Sequence, residues 1–467
     1  MKKIHSLIII CVVFFQATAQ ENFYPGTTLS GDVLEKLKSS FSVTDGDRAT
    51  INAVTHNDIN QLARSRQNEG SVNHYFSHTV ETKGITNQNK SGRCWLYTGL
   101  NTIRPMVREK YELDEFEFSQ TYNFFWDQLE KANLFFEAVM ATYDKPLDDR
   151  EVEWLFKNPI GDGGQWTTFS DNVRKYGVVP ASAMPDTYQS KNTAMMSRML
   201  KRKLRENGLK LRGVARTKMN ETMKKESKIE MLAEIYRILV LCLGEPPESF
   251  TWQYKTSDGT LSKPTEYTPK AFYDEVVGID LGEYVMLMND PSKDYNTLYE
   301  VKYDRNLYEG ENWKFINLPA EQVKAFAKES ILGNEAMYFS CDVGRQLDVE
   351  NGTLDVNNFD YAALLGVSFE MDKGQRIKTY ESASTHGMAL VGVNILPDGE
   401  ADKWLLENSW GSDKGHNGYL TMTDEWFDEY MFRLVIHKKY LDDRTLSLLE
   451  KEPVLLPPWD PVFVMEE

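Results

Sequence analysis

The 467-residue sequence predicts an α+β fold: a helical part, then a mixed insertion, then a strand-rich part. Three observations predict it. Leu96, Leu100, Ile103 and Val107 fall at helical spacing, and residues 229–243 form an amphipathic run that stops at Gly244, with Pro246-Pro247 beyond it. After residue 335 the apolar runs shorten to strand length, at Met337-Tyr338-Phe339-Ser340, 388–393, 404–406 and 419–422, with Asn351-Gly352 and Asn417-Gly418 as hairpin-turn dipeptides. No internal repeat and no long Gly/Ser linker divides the chain, so its length fits either about three domains or one fold with a large insertion.

Residues 1–19 read as an export leader. Lys2 and Lys3 precede a short apolar run over 7–15, and Ala17-Thr18-Ala19 offers a small-residue cleavage site. The run is too short to span a bilayer and no later stretch is apolar for long enough, so the expected product is exported, periplasmic or secreted, and free of the membrane after leader removal. Residues 20–83 are mixed and polar. Residues 84–189 form the helical part with aromatic-rich faces, 190–335 the insertion, 336–445 the strand-rich part, and 446–467 a C-terminal arm. A hydrophobic fraction of 41%, with 23 Phe, 23 Tyr and 10 Trp, supplies a sizeable core and excludes global disorder. A net charge of −17 argues against a dedicated nucleic-acid binder.

Four cysteines in 467 residues exclude a disulfide-stapled mini-domain. Without Cys11 of the leader three remain, so at least one thiol cannot pair within the chain. Cys242 lies in an apolar helical run and Cys341 in a strand-like run, and both read as core residues. Cys94 differs. It follows the polar Gln88-Asn89-Lys90-Ser91-Gly92-Arg93 and opens a helical pattern, where unpaired backbone N–H groups favour thiolate over thiol.

A nucleophilic thiolate needs a proton-transfer partner. His386 opens the apolar run Gly387-Met388-Ala389-Leu390-Val391, so its ring can project from a strand start into a cleft. Asn408 lies 22 residues further on, at the end of a second strand-like run, and Trp410 follows it closely. The three residues fit nucleophile, base and orienter in Cys-His-Asn catalysis. His74 and His78, four apart, could share a helix face as metal ligands, but no Glu follows the first His, and two surface imidazoles are the preferred reading. Gly161-Asp162-Gly163-Gly164 reads as a turn rather than a nucleotide loop, and no metal or organic cofactor is expected.

The motifs Gln88 to Trp95, Thr385 to Val393 and Asn408 to Gly411 resemble papain-like cysteine peptidases. Phe116-Glu117-Phe118-Ser119-Gln120-Thr121-Tyr122, Gly163-Gly164-Gln165-Trp166, Ser340-Cys341-Asp342-Val343-Gly344 and Trp459-Asp460-Pro461 narrow this to the bleomycin hydrolase and aminopeptidase C branch. The 292 residues from Cys94 to His386 exceed the ~130–150 of the plain papain layout, and this branch carries a long insertion between two lobes. The resemblance implies Cys94 as nucleophile, His386 as base and then acid, Asn408 as orienter, Gln88 as an oxyanion-hole donor, and Trp410 as a shield over the His–Asn bond. It also implies peptide substrates, aminopeptidase action through a thioester acyl-enzyme, a homohexamer, and a C-terminal arm directed into the cleft. After Trp459-Asp460-Pro461 this chain departs from the family pattern with Val462-Phe463-Val464-Met465-Glu466-Glu467, which keeps an endopeptidase with a displaced arm in play.

One stretch stands against the acidic balance. Residues 191–228 hold thirteen Lys/Arg and three Glu, a net charge of +10. A nucleic-acid footprint is the alternative of another class. A helical face solvated or paired with acidic neighbours is preferred, because aromatic residues for base stacking are absent there.

Overall fold

The computed structural model describes residues 26–463, so the leader at 1–19 and the C-terminal residues 464–467 lie outside the described residues. The chain divides into two compact units, Met1–Leu62 and Ala63–Glu467. In the first, helices Gly31–Ser39 and Asp45–Val54 bury none of their residues. The second of these starts at a capping box, in which the Thr44 hydroxyl accepts from the Asp47 N–H and the Asp47 carboxylate accepts from the Thr44 N–H.

The second unit holds five long helices ahead of most of the sheet: α1 (Cys94–Lys110), α2 (Gln120–Ala141), α3 (Trp166–Tyr176), α4 (Ala194–Ala215) and α5 (Glu221–Leu243). Helix α2 starts where Ser119 accepts from the Tyr122 N–H. Helix α5 begins eight residues before the apolar periodicity at 229 does, because Asn220 caps it by accepting from the Met223 N–H. It ends at Gly244, whose φ of 88° breaks the helix. Helices α2, α4 and α5 pack on one another. In α4 the buried side chains Met196, Leu200, Leu204 and Leu211 form one stripe, which leaves most of the basic stretch on the remaining faces.

Twelve strands form one sheet: β1 (His78–Thr79), β2 (Tyr284–Met288), β3 (Thr297–Val301), β4 (Lys314–Asn317), β5 (Met337–Cys341), β6 (Leu347–Asp348), β7 (Thr353–Leu354), β8 (His386–Ile395), β9 (Ala401–Glu407), β10 (Tyr419–Thr423), β11 (Met431–His437) and β12 (Val454–Leu456). Their order is β12-β3-β4-β2-β11-β5-β8-β9-β10-β7-β6, with β1 paired to β8. Strands β2 to β4 come from the stretch read as insertion, yet they continue the sheet that carries β5 and β8. Asn351-Gly352 turns β6 into β7, and Asn417-Gly418, with φ of 55° and 91°, makes the tight turn before β10.

Alternation sends neighbouring residues of β5 to opposite faces. Tyr338 joins the core shared with the helices, while Met337, Phe339 and Cys341 join a second core shared with Val323, Phe326 and Ala327 of the Ala320–Leu332 helix. Helix α1 packs against β8 and β5. A Cβ on Gly387 would lie 3.2 Å from both Thr98 Oγ1 and the Tyr338 hydroxyl, so the missing side chain lets α1 approach the sheet immediately after His386.

Candidate active site

Cys94 is the first residue of α1, and its N-cap, Arg93, provides no side-chain acceptor for the first-turn N–H groups. The helix N-terminus therefore keeps its partial positive charge near the Cys94 sulfur. The turn before it is held by Asp162. The Asp162 carboxylate accepts from the Gly92 N–H at 3.4 Å, from Ser197 Oγ at 2.6 Å and from Thr193 Oγ1, and its carbonyl oxygen accepts from the Trp95 indole at 2.8 Å. A Cβ on Gly92 would stand 2.9 Å from Asp162 Cβ, so this contact requires glycine.

His386 begins β8 and is buried. Its Nε2 lies 2.8 Å from Asn408 Oδ1, which leaves Nδ1 as the other ring nitrogen. Asn408 Oδ1 also accepts from the Ser409 N–H at 2.7 Å, which fixes the amide. The Trp410 indole stacks on the imidazole with ring centroids 4.8 Å apart and planes 28° apart. Burial pushes the His386 imidazole down to about 4, while the bond to Asn408 works the other way by favouring the protonated ring. Asn408 follows directly on Glu407, the last residue of β9. There the Glu407 carboxylate accepts from Arg104 of α1 at 2.7 Å, with both side chains buried. Arg104 also donates to the Gly84 carbonyl at 2.7 Å and to Asn101 Oδ1 at 3.2 Å.

Cys94 and His386 line one cavity of about 490 Å³, together with Gly163, Gly164, Tyr338, Ser340 and Ser384. Gln88 lies outside that lining but is tied to the same elements. Its backbone N–H donates to the Ser409 carbonyl at 2.8 Å, its Oε1 accepts from Ser409 Oγ at 2.7 Å, and its Nε2 donates to the Ser91 carbonyl at 2.8 Å. A primary amide has two N–H donors, so one remains after the Ser91 bond. The five residues singled out from the sequence thus come to one locality: Cys94 and His386 at the cavity, Asn408 and Trp410 against the imidazole, and Gln88 beside the loop that precedes Cys94.

A family model of the Peptidase C1-like family matches residues 28–463. Aminopeptidase C of Listeria monocytogenes is 39% identical over 438 residues, covering 93% of this chain and 98% of its own. Human bleomycin hydrolase is 38% identical over 427 residues, covering 89% of this chain and 94% of its own. The crystal structure of PepW from Lactobacillus rhamnosis HN001 superposes with a TM-score of 0.90 at 36% identity, over 93% of this chain and 98% of that one. The chain belongs to the Peptidase C1-like family. It is a papain-like cysteine peptidase with an α+β fold.

Three residues of the peptidase's site were not singled out from the sequence. Asp162 carried only the signal of an Asp among three glycines, read as a turn. Ser409 and Arg104 carried no local signal, since their partners lie 321 and 303 positions away. The shared helix face considered for His74 and His78 does not exist. His78 sits in β1, while His74 lies in irregular chain, stacks on His416 with centroids 3.9 Å apart and bonds Thr421 Oγ1 at 2.7 Å. Among the described residues no three His, Cys, Asp or Glu side chains are grouped to hold a metal. Cys341 is fully buried and Cys242 half-buried, burial pushes both thiols up, and neither forms a disulfide.

The basic stretch is heavily engaged within the chain. Lys203 pairs with Glu206 and Glu234, Lys210 with Glu206, Lys224 with Glu221, and Lys228 with Glu137. Arg212 is buried and donates to the carbonyls of Thr142, Tyr143 and Lys145. At the C-terminal end, Pro458 lines the cavity, the Trp459 ring lies under Arg150, and Asp460 pairs with Lys293 at 2.9 Å.

Proposed function

We propose that this chain is an exported cysteine aminopeptidase that releases N-terminal residues from peptides through a thioester on Cys94. The supporting observation is the cavity shared by Cys94 and His386, with Asn408 bonded to the far ring nitrogen. The Cys94 sulfur attacks the scissile carbonyl carbon. The tetrahedral oxyanion takes hydrogen bonds from the Cys94 backbone N–H and the remaining Gln88 N–H. His386 protonates the leaving amine as the C–N bond breaks, then takes a proton from the water that cleaves the thioester. Asn408 and Trp410 hold the ring in register. Because burial disfavours a charged imidazole, a resting thiolate–imidazolium pair depends on the thiolate's own charge to offset that cost.

The aminopeptidase part rests on the near-full-length likeness to proteins named Aminopeptidase C and bleomycin hydrolase. Export rests on the leader pattern of residues 1–19. Assembly as a homohexamer rests on family resemblance, and its check is the mass of the purified protein in solution. The activity is tested with a fluorogenic dipeptide amide and its N-acetylated twin, each with the unaltered enzyme and with Cys94→Ala. Hydrolysis of the free-amino substrate alone, lost in the variant, is expected. Equal turnover of the two substrates would make the enzyme an endopeptidase, and turnover that survives Cys94→Ala would remove the nucleophile assignment.

A further inference from the structure

The chain carries a net charge of −17, yet its active-site cavity is lined by seven Lys/Arg side chains and one acid, Asp304. Four of the seven have an acidic neighbour. Lys131 pairs with Asp127 at 2.7 Å, Lys157 with Glu153 at 2.8 Å and Lys302 with Glu151 at 2.6 Å, while Arg433 lies beside Asp304, whose carboxyl is pushed up by burial, an effect that the guanidinium only partly offsets. The other three, Lys201, Arg205 and Arg305, have no carboxylate within ion-pair reach among the described residues.

Lys201 and Arg305 are half-buried and Arg205 is exposed, and all three line the cavity. Lys201 and Arg205 project from α4 one turn apart, on the side that faces the cavity. Arg205 is steered there by bonds from its Nε to the Phe156 carbonyl at 2.7 Å and from Nη2 to the Lys157 carbonyl at 2.9 Å, which leaves Nη1 uncommitted. Arg305 donates from Nη1 to Asn312 Oδ1 at 3.0 Å. A carboxylate bound between these side chains would accept charge-assisted hydrogen bonds and neutralise charge in a partly desolvated cleft.

We infer that Lys201, Arg205 and Arg305 form a carboxylate-binding wall of the cleft, so that peptides with Asp or Glu near the hydrolysed bond are preferred over their Asn or Gln counterparts. This names a substrate class for the proposed peptidase and rests on that proposal. The test uses pairs of fluorogenic peptides that differ only by Glu against Gln, placed in turn at each position on either side of the hydrolysed bond. At one position or more, kcat/KM for Glu should exceed that for Gln about tenfold, the lower end for one charge-assisted hydrogen bond. The ratio should shrink as salt rises from about 0.05 to 0.5 M. Lys201→Glu, at a half-buried helix position, and Arg305→Gln should each bring it toward one. Should Arg305→Gln fail to fold, the salt series on the unaltered enzyme tests the same wall.

Brisk hydrolysis of the Gln peptides with a ratio near one at every position would overturn the inference and leave the peptidase proposal standing. Absence of hydrolysis in both series would sink both. A Glu preference that emerged only after deletion of residues 465–467 would show that the wall serves the chain's own Glu466 and Glu467, and would also overturn the inference.

Discussion

Glu407→Gln isolates the buried ion pair that ties α1, the helix carrying Cys94, to the strand that leads into Asn408. Arg104 and Glu407 side chains are 2% and 0% exposed, so neither charge can fall back on water. Glutamine keeps the shape and one acceptor for Arg104 but removes the counter-charge. The guanidinium keeps its bonds to Gly84 and Asn101 and loses the only carboxylate it touches among the described residues. Breaking a buried pair from one side costs about 3–5 kcal/mol, and the retained acceptor puts Glu407→Gln near about 3 kcal/mol, with Glu407→Leu toward about 5 kcal/mol. The double variant Arg104→Met/Glu407→Leu strands no charge and should be more stable than Glu407→Leu alone. Chemical unfolding followed by tryptophan fluorescence measures these three variants, the single variant Arg104→Met and the unaltered chain. Asn408 is the next residue along the chain, so kcat should also fall in Glu407→Gln, by up to about 10²-fold for a shift near 1 Å, with KM little changed. A loss below about 1 kcal/mol, or a double variant whose loss equals the sum of the two single losses, would refute the idea that a stranded charge governs the cost.

Further outcomes follow from the same geometry. In Cys94→Ser, which lacks the thiolate, His386 should titrate at about 4 by NMR. Since the unfolded ring takes its proton near 6.5, stability should be lost as pH falls from there to about 4, by about 3 kcal/mol in total; titration above 6 in that variant would contradict the burial of the ring. Gln88→Ala should lower kcat by about 10²–10³-fold through loss of one oxyanion donor, and steady-state kinetics with kcat intact would remove that role. Gly177→Ala places a Cβ 2.1 Å from the Pro269 carbonyl oxygen at a φ of 76°, so thermal unfolding should show a loss of about 3 kcal/mol or more, and an unchanged midpoint would refute the contact.

Cys94, His386 and Asn408 were legible because each carries a local signature: a polar stretch that ends in a helix start, an imidazole that opens an apolar strand, and an amide that closes one. The strands β5, β8, β9 and β10 were legible for the same reason, as short apolar runs bounded by turn residues. Strands β2 to β4 lie in the stretch read as insertion, and only the pairing of β2 with β11, well over a hundred positions later, makes them part of the same sheet. Asp162 looked like turn punctuation until its carboxylate met the Gly92 N–H 70 positions earlier in the chain.

The amino-acid sequence by itself marked the candidate side chains for the chemistry, and the helix and strand that would present them, since periodicity, caps and turn dipeptides act over a few residues. Only the tertiary structure decided which partners hold those side chains in place, namely Ser409 on Gln88, Arg104 behind Asn408 and Asp162 under the Cys94 turn. It also decided that the basic insertion lends Lys201 and Arg205 to the cleft wall. The physical reason is range: hydrogen bonds and ion pairs act over about 3 Å in space, and the fold brings together groups that the chain keeps up to about three hundred residues apart.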